Sequence, residues 1–456
     1  MKESIGSRRE KILTQPILPL LIRMSIPTII GMLIMTVYNL TDTFFIGRLG
    51  NKSMTAAIGI AFSFVSFIQA LGFWFGYGSG NTMSRALGAK DEKQAAVISS
   101  TGLLLAALTG CILTALLLPV TGRLAAFLGG DASEDLLRYS TEYMRIILFS
   151  VPVSVYATAL YNQIRLCGNA KDAMLGLMSG MILNMVLDPI FIFVFRMGFV
   201  GADWATFAGQ VAGAALLTFL SFRNGNISVS FTKFRLSGSN LYHILVGGAP
   251  NFSRQGITSV AAILLNISAA SYGEETIAAL TVAGRIAAVC YMIVIGWGQG
   301  FQPICAMNYG AKKYDRVRKA LTLSAVVGTV FLIFADAALF FGAHGITALL
   351  TQNPEVAGPA VTILRLQCIS LPLMGIYALS SMFMQNTGRY WTALVISVSR
   401  QGLFYIPLLY ILPLIITGGD PLAIYLVQPV ADILAFIPAA IILAKFTVFP
   451  SDAQTE

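Results

Sequence analysis

Charge is scarce in this chain. Asp, Glu, Lys and Arg make up 11% of its 456 residues, where soluble domains carry about 25%. Histidine is nearly missing: His243 and His344 stand alone and far apart. No HExxH and no GxSxG occurs, so zinc-protease and serine-hydrolase chemistry lack their residues. A membrane-embedded enzyme therefore has little to work with. The glycine-rich runs Gly72–Gly80 and Gly296–Gly300 lack the Lys-Ser/Thr of a phosphate loop and read as close helix packing or flexing. Five cysteines (Cys111, Cys167, Cys290, Cys305, Cys368) lie in or beside apolar stretches without any CxxC. They read as buried free thiols. A cleavable leader is not expected, because the N-terminus is charged and the first apolar run is long and has no small-residue cleavage site.

What the chain has in abundance is apolar length. Hydrophobic residues reach 56% and the mean hydropathy is +0.75. Runs of bilayer-spanning length, about 20 residues, recur throughout and predict an all-α polytopic membrane protein. Twelve spans are expected, near 17–46, 54–80, 95–121, 135–165, 172–197, 201–223, 240–270, 276–305, 316–343, 357–387, 390–417 and 420–446. The longest polar gap, Asn224–Asn240, follows span six. It divides the chain into a six-helix half at 1–223, a linker at 224–239 and a second six-helix half at 240–456.

The basic residues support the even count. With twelve spans, nineteen of the 30 Lys and Arg fall on the side of the N-terminus and five on the other. The positive-inside rule then places both termini in the cytoplasm. The net charge of +9 reports this topology rather than a nucleic-acid partner.

The halves repeat each other. Gly76, Gly78, Gly88, Ala89 and Lys90 recur 222 residues later as Gly298, Gly300, Gly310, Ala311 and Lys312. Arg145, Pro152, Gly168 and Ala173 recur after 220 as Arg365, Pro372, Gly388 and Ala393, and Pro27 recurs as Pro250. Six spans per half means that both enter the membrane in the same direction, a parallel repeat of the kind found in transporters.

One carboxylate, Asp42, stands in the outer half of span one, where an ionisable group costs several kcal/mol or more. Asp188 on span five lies 16 residues beyond Asp172, roughly 24 Å up the helix, and Asn184 is one turn before it on the same face. Thr206 on span six and Tyr143 on span four fall at similar depth. These five can share one polar layer, since polar groups in lipid must find partners. Two carboxylates there cannot both ionise cheaply and would share a proton. Alternatively, Asp42, Asn184, Asp188 and Thr206 offer oxygen ligands for a small cation such as Na⁺. Thr206 and Tyr143 also suit plain helix packing. Asp336 and Asp432 show no obvious polar layer around them in the sequence and read as neighbour contacts or part of a polar cleft wall. Arg254, Arg285 and Arg400 either line a cleft or snorkel.

Taken together, Pro27 and Asp42 in span one, GxG…GAK after spans two and eight, NxxxDP at Asn184–Pro189 and GADWAT at Gly201–Thr206 resemble the multidrug and toxic compound extrusion (MATE) family over essentially the whole chain. The likeness is greatest to its DinF-like branch, with MepA-like exporters. The resemblance implies two six-helix bundles forming a V with a central cleft open alternately to either side. It implies a cation-coupled antiporter, driven by H⁺ or Na⁺, that exports lipophilic, often cationic compounds and needs no other cofactor. A multi-pass protein of the bacterial plasma membrane, acting as a monomer, is expected. The residues matching the family's N-half cation site are Asp42, Tyr143, Asn184, Asp188 and Thr206, and Pro27 matches its bending point. Another branch uses an acidic residue in span seven; here span seven has none, and the repeat puts Leu265 beside Asn266 at the position of Asp42. A lipid-linked precursor flippase of the same superfamily is the alternative. Arg254, Arg285 and Arg400 favour it, and the twelve spans count against it.

Overall fold

The computed structural model describes residues 4–48, 51–223, 225–227, 229–230, 232–351, 353–416 and 418–446, without the side chains at 39, 40, 42, 43 and 52. Every regular element among them is helical. A short helix α1 (Ile5–Thr14) precedes α2 (Ile17–Gly47), α3 (Lys52–Gly88), α4 (Glu92–Leu117), α5 (Thr121–Phe127), α6 (Glu134–Leu166), α7 (Ala170–Pro189) and α8 (Phe199–Ser221). The second half holds α9 (Gly238–Ala270), α10 (Glu274–Gly310), α11 (Tyr314–Leu350), α12 (Pro354–Cys368) and α13 (Leu371–Asn386). It continues through α14 (Tyr390–Val398), α15 (Ile406–Ile415), α16 (Leu422–Tyr425) and α17 (Val427–Phe446).

Ten of the described helices are long and apolar enough to cross a bilayer, and α12 with α13 makes an eleventh broken by a 53° bend. The remaining segment, α9, has the length but carries Asn240, His243, Asn251, Arg254 and Gln255, which lower its hydropathy. Span ten, expected to be one helix, is thus two. Its repeat mate α6 runs unbroken through Pro152, whereas Pro372 sits at the second position of α13. The cysteine reading also needs one correction. Four thiols are buried, but Cys111 is exposed on α4. Burial pushes the thiol of Cys167, just past the end of α6, up to about 11.

The recurrent GAK ends a helix. Lys90 and Lys312 take φ of 65° and 58°, a left-handed turn uncommon outside glycine that caps the helix end. In each copy the following N–H reaches back into the helix, Asp91 to the Ala86 carbonyl and Lys313 to the Asn308 carbonyl, both at 2.9 Å.

The recurrent glycines form a seam between the halves. A Cβ on Gly88 would land on the Met307 carbonyl oxygen, and one on Gly310 would land on that of Arg85. Met307 and Arg85 are themselves repeat mates, so α3 and α10 cross in a two-fold manner. Gly78 lets α3 approach Ile244 of α9, and Gly300 lets α10 approach Ser25 of α2. Helices associate in lipid chiefly through such close contact. Polar bonds finish the seam. Arg165, fully buried, donates from Nη1 to the Gln299 carbonyl at 2.7 Å and to Gln302 Oε1 at 2.9 Å, and from Nη2 to Asn162 Oδ1 at 3.0 Å. Arg85 donates to the Asn386 carbonyl at 3.1 Å and to the Tyr390 hydroxyl, which also meets His243 Nδ1 at 3.1 Å.

Helix α1 lies across this same basic end. Arg8 donates to Asn226 Oδ1 at 2.9 Å, and Arg9 stands 3.5 Å from Glu92. At the other end of α1, Arg316 Nη2 donates to the carbonyls of Ile12 (3.1 Å) and Gln15 (2.7 Å), and Lys313 Nζ to that of Leu13 (3.1 Å). Cations there satisfy carbonyls that a helix C-terminus leaves open. The helix therefore grips both halves.

Candidate functional site

The first half contains a cavity of about 320 Å³. Helices α2, α3, α6, α7 and α8 line it, and Gln255 of α9 and Met292 of α10 reach it from the second half. Tyr143, Asn184 and Thr206 are on its wall.

Small residues place these side chains. Helix α7 carries Gly176-xxx-Gly180 and α8 carries Gly209-xxx-Gly213. A Cβ on Gly180 would stand 2.6 Å from the Gly209 carbonyl oxygen, and one on Gly209 equally close to that of Gly180. The backbones touch because neither residue has a side chain. One turn beyond this contact, Asn184 faces Thr206. Asn184 Nδ2 donates to Thr206 Oγ1 at 3.1 Å and to Asp188 Oδ1 at 3.3 Å. Asp188 is fully buried and Asn184 is 1% exposed. Among the described residues Asn184 Oδ1 is buried with no hydrogen-bond partner. Tyr143 is buried, its ring 5.3 Å from that of Phe199 at the start of α8.

Immediately after Asp188, Pro189 cannot donate to the helix ladder, and the chain widens into a π-helical turn at Ile190–Val194. Such turns recur at functional sites. The structure thus joins Asn184, Asp188 and Thr206 directly and puts Tyr143 on the same cavity. Asp42 belongs to α2, but its side chain lies outside the described residues. Asp203 went unremarked in the sequence. It is fully buried, one turn before Thr206 on α8, and its place inside GADWAT was the available signal.

Pro27 sits within an unbroken α2. The hydroxyls on either side of it bind across the seam: Ser25 Oγ donates to the Trp297 carbonyl at 3.1 Å and Thr28 Oγ1 to the Gly296 carbonyl at 2.6 Å. A Cβ on Gly296 would come within 2.7 Å of Ile29 Cα. Gly296 and Gly300 of α10 are therefore the seat of the Pro27 region. Among the described residues no group of three or more His, Cys, Asp or Glu is placed to hold a metal ion.

In the second half Asp432 makes the neighbour contacts expected of it, from more partners than the sequence announces. Asp432 does have a polar layer. Arg400 Nε donates to its Oδ1 at 2.7 Å, Gln428 Nε2 to Oδ1 at 2.6 Å and Ser370 Oγ to Oδ2 at 3.0 Å. Arg400 also lies over the Tyr291 ring, 5.1 Å from its centroid. It neither snorkels nor stands free; it belongs to a π-helical turn at Ser399–Tyr405 between α14 and α15.

Comparison with known proteins agrees with the repeat. The MatE family model matches residues 27–190 and 252–411, once in each half. The chain is 29% identical over 391 residues to the multidrug export protein MepA of Staphylococcus haemolyticus (strain JCSC1435), covering 85% of each. Among solved structures, it is similar to a MATE protein in the bent conformation, with TM-score 0.87, 26% identity and coverage of 98% of this chain and 100% of that one. It is also similar to a multidrug resistance MATE family transporter of the MOP superfamily in an outward-facing conformation, with TM-score 0.89, 25% identity and coverage of 96% and 97%.

Proposed function

We propose, from the premise that this chain belongs to the MatE family of transporters, that it exports lipophilic, often cationic compounds across the bacterial plasma membrane by alternating access. Entry of H⁺ or Na⁺ into the Asn184–Asp188–Thr206 layer drives the export, with Asp42 as the second carboxylate and Tyr143 on its edge. The multidrug export proteins it resembles support the substrate class. Both termini are cytoplasmic, which makes the basic end the inner face, and the six helices before and after the linker at 224–239 act as two bundles.

The observation that carries this reading is Asn184. It binds Asp188 and Thr206 at once and keeps a bare buried acceptor on the wall of a cavity. A proton on Asp188 or a cation among these oxygens changes the charge of that wall. The seam contacts gather at the basic end, so the conformation described is closed to the cytoplasm, and Ser25 and Thr28 tie the Pro27 region of α2 to the closed seam. A cation bound in the layer acts on the state of α2 only through its differential affinity for the two conformations.

The test uses vesicles with the cytoplasmic side outward and a fluorescent lipophilic cation. Imposed H⁺ and Na⁺ gradients are compared on wild type, Asp42→Asn and Asp188→Asn. The expected result is uptake driven by one gradient and lost in both variants, with folding retained. Normal transport by both variants would remove coupling from this site.

A further inference from the structure

Asp336, well inside α11, is a buried carboxylate of the second half that stands outside the Arg400–Asp432 network. It is 5% exposed, and both its oxygens are buried without a hydrogen-bond partner. The titratable groups that adjoin it are Cys290 of α10 and Cys368 at the end of α12, both buried and uncharged as thiols. Other described ionisable side chains on the elements packed against α11 are engaged or exposed; that of Asp42 on α2 lies outside the described residues. Arg365 of α12 donates to the Phe340 carbonyl at 3.3 Å. Tyr291 of α10 lies against Arg400, and Tyr377 of α13 donates to the Ile396 carbonyl. Glu274, Glu275 and Arg285 of α10, Arg23 of α2 and His344 of α11 itself are exposed. A carboxylate in such a place has neither counter-charge nor donor, which costs far more than a neutral acid there.

The repeat supplies the second observation. Helix α4 begins at Glu92 and α11 at Tyr314, so Asp336 stands where Thr114 stands in the first half. By the offset of the following helix, Cys368 stands where Leu148 does. Thr114 Oγ1 donates to the Leu148 carbonyl at 2.8 Å. A side chain at this position thus has a built acceptor opposite it, a backbone carbonyl of the facing helix. In the second half that carbonyl belongs to the last residue of α12, at the 53° break before α13, where helix carbonyls lose their own partners. Threonine has a proton to give. Aspartate has one only as the acid.

We propose that Asp336 is a proton-binding site, holding one proton in the conformation closed at the basic end and presenting its O–H to the carbonyl of Cys368 at the break. The proton is taken from hydronium, leaving water, and no other species is consumed. The site is separate from the Asn184–Asp188–Thr206 layer and does not depend on that layer's role in coupling. Protonation and the broken span are tied together, because the O–H caps the carbonyl that the break exposes.

The experiment is infrared difference spectroscopy of the full-length protein in lipid nanodiscs at neutral pH. It reads the C=O stretch of protonated carboxyl groups. Wild type minus Asp336→Asn should contain one such band, shifted in deuterium oxide, and Asp188→Asn should retain it whatever that variant does to transport. Asp336→Thr restores the hydroxyl of the repeat mate and should fold with the wild-type melting temperature while also lacking the band. Spectra of wild type and both Asp336 variants that coincide at neutral pH would overturn the proposal. If neither variant folds, titration of the Asp42→Asn/Asp188→Asn double variant, which removes the carboxyl groups of the first-half layer, decides. A protonated-carboxyl band that persists at neutral pH and disappears in a single-proton step at higher pH supports it, and absence of any band at neutral pH overturns it.

Discussion

Replacing Gly88 with alanine puts a Cβ onto the carbonyl oxygen of Met307. The obstacle is backbone on a second long helix, so no rotamer change relieves it, and overpacking of this kind costs about 1–3 kcal/mol. The cost falls only on the conformation in which α3 and α10 cross. Alanine also favours the helix over glycine by up to about 1 kcal/mol, but that gain is common to any conformation in which α3 stays helical and cancels from the comparison. The ratio of closed to open molecules at the basic end should therefore fall by about 5–150-fold. Electron–electron resonance between spin labels at positions 93 and 319, exposed sites on the two halves at that end, measures the ratio directly. Gly310→Ala should act alike, because its Cβ meets Arg85 in the same way. Gly284→Ala is the control, since nothing lies within 4 Å of its Cβ. If Gly88→Ala and Gly310→Ala both keep the wild-type distance distribution, the seam does not set the closed state and the reasoning fails.

Two further outcomes follow from the polar contacts. Arg316→Ala removes the donors to the Ile12 and Gln15 carbonyls, worth about 1.5–3 kcal/mol as charged hydrogen bonds. A cysteine placed at Ile12, fully buried in the native chain, should then label at least tenfold faster with a water-soluble maleimide, and unchanged labelling would show that α1 is held by other means. Asp432→Asn strips Arg400 of its counter-charge inside the helices. It should cost about 3–5 kcal/mol, whereas the double change Arg400→Met with Asp432→Leu should cost much less. Melting in detergent distinguishes the two, and equal losses would argue against a buried ion pair.

The sequence carried the fold class because apolar length and a repeat offset are one-dimensional signals. It carried Asn184 and Asp188 because their spacing of four is also local. Thr206 could be joined to them only by counting depth, and the feature that sets the distance went unread: two GxxxG stretches that face each other across α7 and α8. Each is visible alone, but their pairing is not. The partners of Asp432 are only partly legible for the same reason. Gln428, four residues before it on the same helix, is a local signal, but Ser370 and Arg400 come from two other segments and no spacing within span twelve announces them. The break between α12 and α13 defeats local reading altogether, since Pro152 and Pro372 are repeat mates and only one lies at a break. Tertiary contacts decide there, with Ser370 drawn to Asp432 at the break itself.

Helix α1 imposes an order on how the molecule is made. Its seat consists partly of Asn308, Lys313 and Arg316, and Arg316 donates to a carbonyl 304 residues earlier in the chain. Helix α1 can meet its first-half contacts early, but its seat is incomplete until α10 and the start of α11 have been synthesised and inserted. Until then the carbonyls of Ile12, Leu13 and Gln15 lack the donors that Asn308, Lys313 and Arg316 supply. A nascent or misassembled chain leaves those carbonyls open and a finished one caps them, so α1 acts as a receipt for the completion of the second half.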